Sequence, residues 1–383
     1  MSTFTSLGLH PSLIEAVASE KFSAPTPIQT QAIPAVLGGG DVLGIAKTGS
    51  GKTASYVLPL LHQLLLPEAR RSKDNDGPSI LVLVPTRELA QQVRAVFEQF
   101  IVALPDRIKS LAVFGGVAIS PQMQALRNVD ILIATPGRLI ELEEKNAVKL
   151  GAVSTLVLDE ADKMLNLGFK EEIDVIIALL PASEKRQNLL FSATLSDDLS
   201  AVNQLVLNSP TVIKVADADD HIDLIKQRAY LVETDRKGPF LRHLIKSEKL
   251  QQTLIFTSSA YQADHIAEKL RRNRIHAESM HGKLSQGART ERLEDFKAGK
   301  LRILVATDLL ARGVDISALP CVINYELPRS PKDYIHRIGR TGRAETPGQA
   351  ISLISPEERH HFKVIQKKMG QWLTLEHTEG IKY

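Results

Sequence analysis

Residues 46–53 read Ala46-Lys47-Thr48-Gly49-Ser50-Gly51-Lys52-Thr53, directly after the apolar run 42–46 and before a helix-compatible stretch that begins at Thr53. A phosphate-binding loop needs that context: a strand that ends, a glycine-rich turn, and a helix whose first N–H groups point at the anion. Gly49 and Gly51 let the backbone wrap the phosphates, with Thr48 and Ser50 completing the turn. Lys52 neutralises charge on the phosphates, and the Thr53 hydroxyl can ligate magnesium. Ala46 replaces the first glycine of the general pattern. A glycine-rich turn without a ligand would have no use for the Lys52-Thr53 pair.

Outward from this loop, short Val/Ile/Leu-rich runs at 42–46, 80–84, 111–114, 131–134, 155–158 and 189–191 alternate with helix-length amphipathic segments. That alternation predicts an α/β fold with a parallel sheet buried on both faces. The rhythm stops near Val215. Ala216-Asp217-Ala218-Asp219-Asp220-His221 is short, acidic and free of bulky apolar residues, and reads as a linker over 216–225. The pattern then restarts at 253–256, 303–306, 321–324 and 350–353, which predicts a second α/β domain over 226–383 after a first over 31–215. Residues 67–79 read as a polar surface loop, and a closing helix is expected near 356–369.

The chain of 383 residues, 43% hydrophobic and 24% charged, is long enough for two globular domains and too apolar for disorder. Its single cysteine, Cys321, has no internal disulfide partner, and no Cys/His cluster has zinc spacing. A reducing compartment, the cytoplasm, is the simplest reading. The apolar runs are strand-length and the start of the chain has no signal-like segment, so neither membrane insertion nor secretion is indicated. A formal charge of +3 is compatible with nucleic acid and decides nothing.

Asp159-Glu160-Ala161-Asp162 follows Leu156-Val157-Leu158, which puts its acids at a strand's carboxyl end, where α/β proteins bind ligands. Asp159 is placed to hold magnesium, and Glu160 to orient and deprotonate an attacking water. Alone, an acidic tetrapeptide is most often a solvated loop. Coupled to the phosphate loop, it is a catalytic candidate.

At this point the chain closely resembles the DEAD-box family of ATP-dependent RNA helicases: residues 159–162 spell the family's name, and its other motifs follow in order. The resemblance implies two tandem RecA-like domains that close over ATP, Mg2+ and a single RNA strand. Phe22-Ser23-Ala24-Pro25-Thr26-Pro27-Ile28-Gln29 looks like the adenine-sensing Q motif over 1–30, with Phe4 at the place of its upstream aromatic. An amide such as Gln29 can donate to and accept from an adenine edge while a phenyl ring covers its face; Phe4 and Phe22 read equally well as core anchors. Pro85-Thr86-Arg87, Gly115-Gly116 and Thr135-Pro136-Gly137-Arg138 resemble RNA-contacting motifs, with hydroxyls, glycine N–H groups and helix starts suited to a sugar-phosphate backbone. Ser192-Ala193-Thr194 is similar to the motif coupling ATP state to strand separation.

In the second domain the resemblance implies RNA contact by Gln286, Arg289 and Thr307 and ribose contact by Asp315, with Gly313 beside it. It also implies water or Glu160 contact by His336, and γ-phosphate contact by Arg340 and Arg343. The expected activity is RNA-stimulated ATP hydrolysis coupled to domain closure and local separation of short duplexes. An ATP-gated RNA clamp is the alternative reading, and a DNA helicase of a related branch a third. RNA is the expected partner, bound by its backbone without sequence preference, and the chain is expected to act as a monomer. Ribosome assembly, RNA decay and cold adaptation stay open as pathways, with proteins of the first two as candidate partners. The compact layout looks most like the bacterial RhlE-like branch. Lys21, Lys47 and Lys283 depart from the commonest family residues, and none removes a catalytic group.

Overall fold

The computed structural model describes residues 3–20, 22–46, 49–66, 77–105, 107–194, 206–215, 225–308, 319–342 and 348–378. The chain divides into two compact units, Met1–Asp217 and Ala218–Tyr383. Most of the expected linker and of the 67–79 loop lies outside the described residues.

The first unit carries a seven-stranded sheet of β1 (Val42–Ile45), β2 (Ile80–Leu83), β3 (Ser110–Val113), β4 (Ile131–Ala134), β5 (Thr155–Asp159), β6 (Gln187–Ser192) and β7 (Thr211–Lys214). Its order is β3-β4-β2-β5-β6-β1-β7, with every pairing parallel. Alternate residues feed two cores. Ile80, Val82, Ile131, Ile133 and Val157 belong to one hydrophobic cluster, and Leu81, Leu83, Leu132, Leu156 and Leu158 to the other. The two-residue side-chain period thus buries both faces, which is why these strands read as continuous apolar runs.

Eight helices flank this sheet among the described residues: α1 (Pro11–Ser19), α2 (Pro27–Leu37), α3 (Lys52–Leu65), α4 (Arg87–Ile101), α5 (Ile119–Ala125), α6 (Pro136–Glu144), α7 (Ala161–Asn166) and α8 (Lys170–Leu179). Their starts follow from local chemistry. Thr26 precedes α2, with Pro27 in its first turn, and the Gln29 side chain reaches back to accept from the Thr26 N–H at 2.9 Å. Thr86 caps α4 by accepting from the Leu89 N–H at 3.2 Å.

The second unit repeats the plan with β8 (Ile225–Leu231), β9 (Thr253–Thr257), β10 (Ala277–Met280), β11 (Ile303–Thr307), β12 (Cys321–Asn324), β13 (Gly348–Ile354) and β14 (Leu375–His377). The order is β10-β11-β9-β12-β13-β8-β14, again parallel throughout. Its described helices are α9 (Lys237–Ser247), α10 (Ala260–Arg272), α11 (Gln286–Lys297), α12 (Pro331–Ile338) and α13 (Arg359–Met369). The expected α/β architecture is present in both units. β7, β8, β10 and β14 are strands that the apolar-run criterion passed over, and β7 shows why: only Ile213 of its four residues is buried. No described helix is long and apolar enough to cross a membrane.

Candidate nucleotide and RNA site

Between β1 and α3 the chain turns on Gly49 and Gly51, whose φ values of 81° and 94° lie in the left-handed region where a side chain is strained. A Cβ at Gly51 would also press on the Gln29 amide and the Thr26 hydroxyl. The Q-motif segment therefore packs directly on the phosphate loop. Gln29 is 2% exposed, and its Nε2 donates to the Gly51 carbonyl at 3.3 Å. The residue expected to read adenine thus also braces the loop, using one hydrogen-bonding position at each end of its amide. Phe4 is buried in the core and meets Phe22 edge-on at 6.4 Å; Phe22 remains 38% exposed.

Lys52 opens α3 and is buried, its ammonium donating to the Ala46 carbonyl. Burial lowers its pKa, opposed by Asp159 and Glu160. At the end of β5, Asp159 accepts from the Tyr56 hydroxyl at 2.8 Å and from the Glu160 N–H at 2.8 Å. Tyr56 in turn packs on Phe191 at 5.2 Å, and Phe191 covers Gly44 so closely that a Cβ there would strike its ring. Desolvation, with the Glu160 charge adding, raises the Asp159 pKa to about 6 against the pull of Lys52.

That shift predicts a stability effect. Between the ordinary carboxylate range and about 6, the folded protein binds a proton that the unfolded chain has released. Stability therefore falls as pH rises through this window and stays reduced above it. Asp159→Asn removes the charge, keeps an oxygen to accept from the Glu160 N–H, and turns an Nδ2–H donor towards the Tyr56 hydroxyl oxygen. It is expected to stabilise the nucleotide-free protein at pH 7 by on the order of 2 kcal/mol, a gain that shrinks towards pH 4. Urea unfolding across that range checks it; an Asn variant no more stable than the parent at pH 7 would show that the ionised carboxylate is not strained.

Glu160 has φ 54°, also in the left-handed region, just before α7. Its Oε1 pairs with Lys163 Nζ at 2.6 Å, and its buried Oε2 has no partner among the described residues. The Ser50 hydroxyl is likewise buried and has no partner among the described residues. Unsatisfied buried oxygens carry a desolvation cost, and bound water or ligand removes it. With the turn at Gly49 and Gly51 and the Lys52 ammonium, this arrangement fits a triphosphate with its magnesium. Asp162 accepts from the Thr194 hydroxyl at 2.9 Å, while Ser192 Oγ donates to the Thr194 carbonyl at 2.8 Å. The two expected coupling residues are therefore linked to the acidic motif.

Beside these, β2, β3 and β4 deliver Pro85, Thr86, Arg87, Gly115, Gly116, Thr135 and Gly137 to the same carboxyl edge. Gly116 has φ 73°, and a Cβ there would collide with the Arg87 guanidinium that lies over it. Arg138, read from sequence as added positive charge, is only 6% exposed; it binds Glu141 at 2.8 Å and the Val117 carbonyl at 2.9 Å, bracing α6 to the Gly115-Gly116 loop.

In the second unit Thr307 ends β11, Gln286 opens α11, and the buried Arg289 donates to the Gln286 side chain. Lys283 is exposed. His336 lies on α12, and Arg340 follows its C-cap Gly339. Lys47, Thr48, Gly313, Asp315 and Arg343 lie outside the described residues, as does Lys21.

Three participants were missed from sequence. Tyr56 and Lys163 hold the two acids. Arg337 grips both oxygens of Asp308 at 2.6 and 2.7 Å, binds the Glu326 carbonyl at 2.6 Å and stacks over Phe256 at 4.9 Å. It ties the segment after β11 to the ends of β9 and β12. Its only sequence signal was position: one residue past His336, a helix turns by about 100°, so Arg337 faces the core.

The family model described as DEAD/DEAH box helicase matches residues 26–202, and that described as helicase conserved C-terminal domain matches 236–345. The chain is 37% identical to the DEAD-box ATP-dependent RNA helicase CshA of Geobacillus kaustophilus, over 96% of this chain and 77% of that protein. It is 37% identical to the ATP-dependent rRNA helicase RRP3 of Kluyveromyces lactis, over 98% of this chain and 76% of that protein. Among solved structures, S. cerevisiae Dbp5 bound to RNA and ADP BeF3 matches with a TM-score of 0.85 at 28% identity, covering 99% of this chain and 96% of that one. With its motifs in order along two parallel-sheet units, the chain belongs to the DEAD-box family of ATP-dependent RNA helicases.

Proposed function

We propose that this protein hydrolyses ATP when RNA is bound and uses the cycle to separate short RNA duplexes locally, by binding one strand through its backbone. One observation carries the reading. Along the carboxyl edge of the first sheet, the nucleotide residues sit on the adjacent strands β5, β6 and β1, and the RNA residues on the adjacent strands β3, β4 and β2. The halves meet where β2 pairs with β5, so the two ligands have neighbouring seats on one rigid sheet.

In this scheme Lys52 and the N–H groups at the start of α3 hold the phosphates, and Thr53 and Asp159 hold magnesium, which offsets charge on the phosphate oxygens. Glu160 receives the proton of the attacking water at Oε2, the oxygen that has no partner among the described residues. Arg340 and Arg343 of the second unit stabilise the charge of the transferring phosphoryl group, so hydrolysis needs both units. Gly313 and Asp315 support the ribose, and His336 the water or Glu160. Thr194, hydrogen-bonded to Asp162, and Ser192, hydrogen-bonded to Thr194, relay the state of the acidic motif to the adjoining sheet edge. The lone cysteine, Cys321, is buried and its pKa is pushed up to about 12, an inert thiol suited to a cytoplasmic protein.

Because the RNA residues surround sugar and phosphate, the 2′-hydroxyl is the group that distinguishes activators. ATPase stimulation by single-stranded RNA is expected to exceed that by DNA of the same sequence and length by roughly 10-fold or more at fixed salt. Equal stimulation by the two would favour the DNA-helicase reading, and dependence on one sequence would require a base-reading element.

A further inference from the structure

The last helix, α13, has two unlike faces. Phe362, Ile365 and Gln366 are buried, whereas Arg359, His360, Lys363, Val364, Lys367 and Lys368 are all exposed. Arg359, Lys363 and Lys367 stand at i, i+4 and i+8, forming one column along the outer face, with Lys368 beside its end. No acidic residue occurs between Arg359 and Met369, and none of these four cations has an ion pair or side-chain hydrogen bond among the described residues. Like charges at i, i+4 oppose a helix, and a cation in its first turn faces the positive end of the macrodipole. A face serving only solubility would alternate signs, as the Arg272–Glu268 pair of α10 does.

Beyond this column the chain presents Trp372, its only tryptophan, 66% exposed. An indole is seldom left in water. Both of its neighbours are fastened: the Leu373 N–H donates to the buried Gln366 side chain at 2.6 Å, and the Gln371 side chain accepts from Gln227 at 2.7 Å. The turn is thus fixed while the ring is held outward. The column spans about 12 Å at the helical rise, enough for a few consecutive phosphates. Since all strands are parallel and α13 follows β13, it begins at the sheet's carboxyl edge, where Thr307 ends β11.

We propose that the outer face of α13 and the Trp372 ring form an accessory surface for single-stranded RNA, the cations following the backbone and the indole stacking on a base. The proposal rests on the RNA-directed reading above. A row of cations with one aromatic platform is the sequence-tolerant way to hold a single strand. A membrane surface is disfavoured because Val364 and Trp372 are the only large apolar groups exposed on α13 and the turn after it.

As the chain's only indole, Trp372 reports on its own occupancy. Single-stranded RNA of about 30 nucleotides is expected to quench tryptophan emission, whereas one of about 8 nucleotides, filling only the RNA residues proposed above, leaves it unchanged. Replacing Arg359, Lys363, Lys367 and Lys368 together by Gln should weaken binding of the long RNA roughly 10-fold and flatten its log–log salt slope by about 2 to 3. Half-maximal ATPase stimulation by the short RNA should stay as in the parent. Emission indifferent to long RNA, or a quadruple variant that binds it like the parent, would overturn the proposal. Equal quenching by polyglutamate at the same ionic strength would also overturn it, reassigning the face to an acidic protein. Absence of RNA-stimulated ATPase in the parent would sink the primary reading, while the quenching measurement needs no turnover and judges the accessory surface separately.

Discussion

Glu160→Gln is expected to lower ATP turnover by about 10²- to 10⁴-fold, the usual worth of a positioned general base, while ATP still binds. Gln fills the same volume, so the loop, Lys52 and Asp159 keep their places; the proton acceptor is lost, and the ion pair with Lys163 is reduced to a neutral side chain's hydrogen bond. Lys52→Ala should fail in a different way. It removes the cation that faces Asp159 and Glu160, so their mutual repulsion is no longer offset by the Lys52 ammonium. Phosphate affinity should then fall by more than about 10-fold, before any chemistry. Titration with a fluorescent ATP analogue, paired with single-turnover hydrolysis, separates the two defects. A Glu160→Gln enzyme with near-parental turnover would remove Glu160 from the water-activating role.

Dependence on the second unit should be at least as large. The first unit, residues 1–217, contains the phosphate loop and the acidic motif and has hydrophobic clusters on both faces of its own sheet. Alone it should fold and bind ATP, yet hydrolyse it roughly 10³-fold or more slowly than the whole chain with RNA, because an arginine finger is worth that much. Arg340→Ala in the intact chain should approach the same deficit. Arg340→Lys should recover little, since an ammonium keeps the charge but loses the planar fork that holds two oxygens. Substantial hydrolysis by the isolated first unit would show that the second supplies no essential group.

The central strands and the chemistry carried at their ends were legible in the residues alone. Strand-length apolar runs between amphipathic segments announced parallel α/β units because burial on both faces leaves no polar positions in a central strand. The Lys52-Thr53 pair, the acids at 159–162 and the family motifs named the residues to watch. Edge strands were less legible: in β7, Thr211, Val212 and Lys214 are exposed, so no hydrophobic run marks them.

Which residues meet is a matter of packing between distant parts of the chain. Along the chain the expected RNA residues, after β2, β3 and β4, separate the expected nucleotide residues after β1 from those after β5 and β6, and the order β3-β4-β2-β5-β6-β1-β7 sorts them into adjacent halves of one edge. Pairing between strands distant in sequence is a non-local property that no window of residues contains. The same holds for Gln29 against Gly51, Tyr56 beneath Asp159, and Arg138 and Arg337 turned inward as braces. Sequence gives an arginine its charge, but whether that charge meets solvent, a ligand or a buried carboxylate depends on the packing around it.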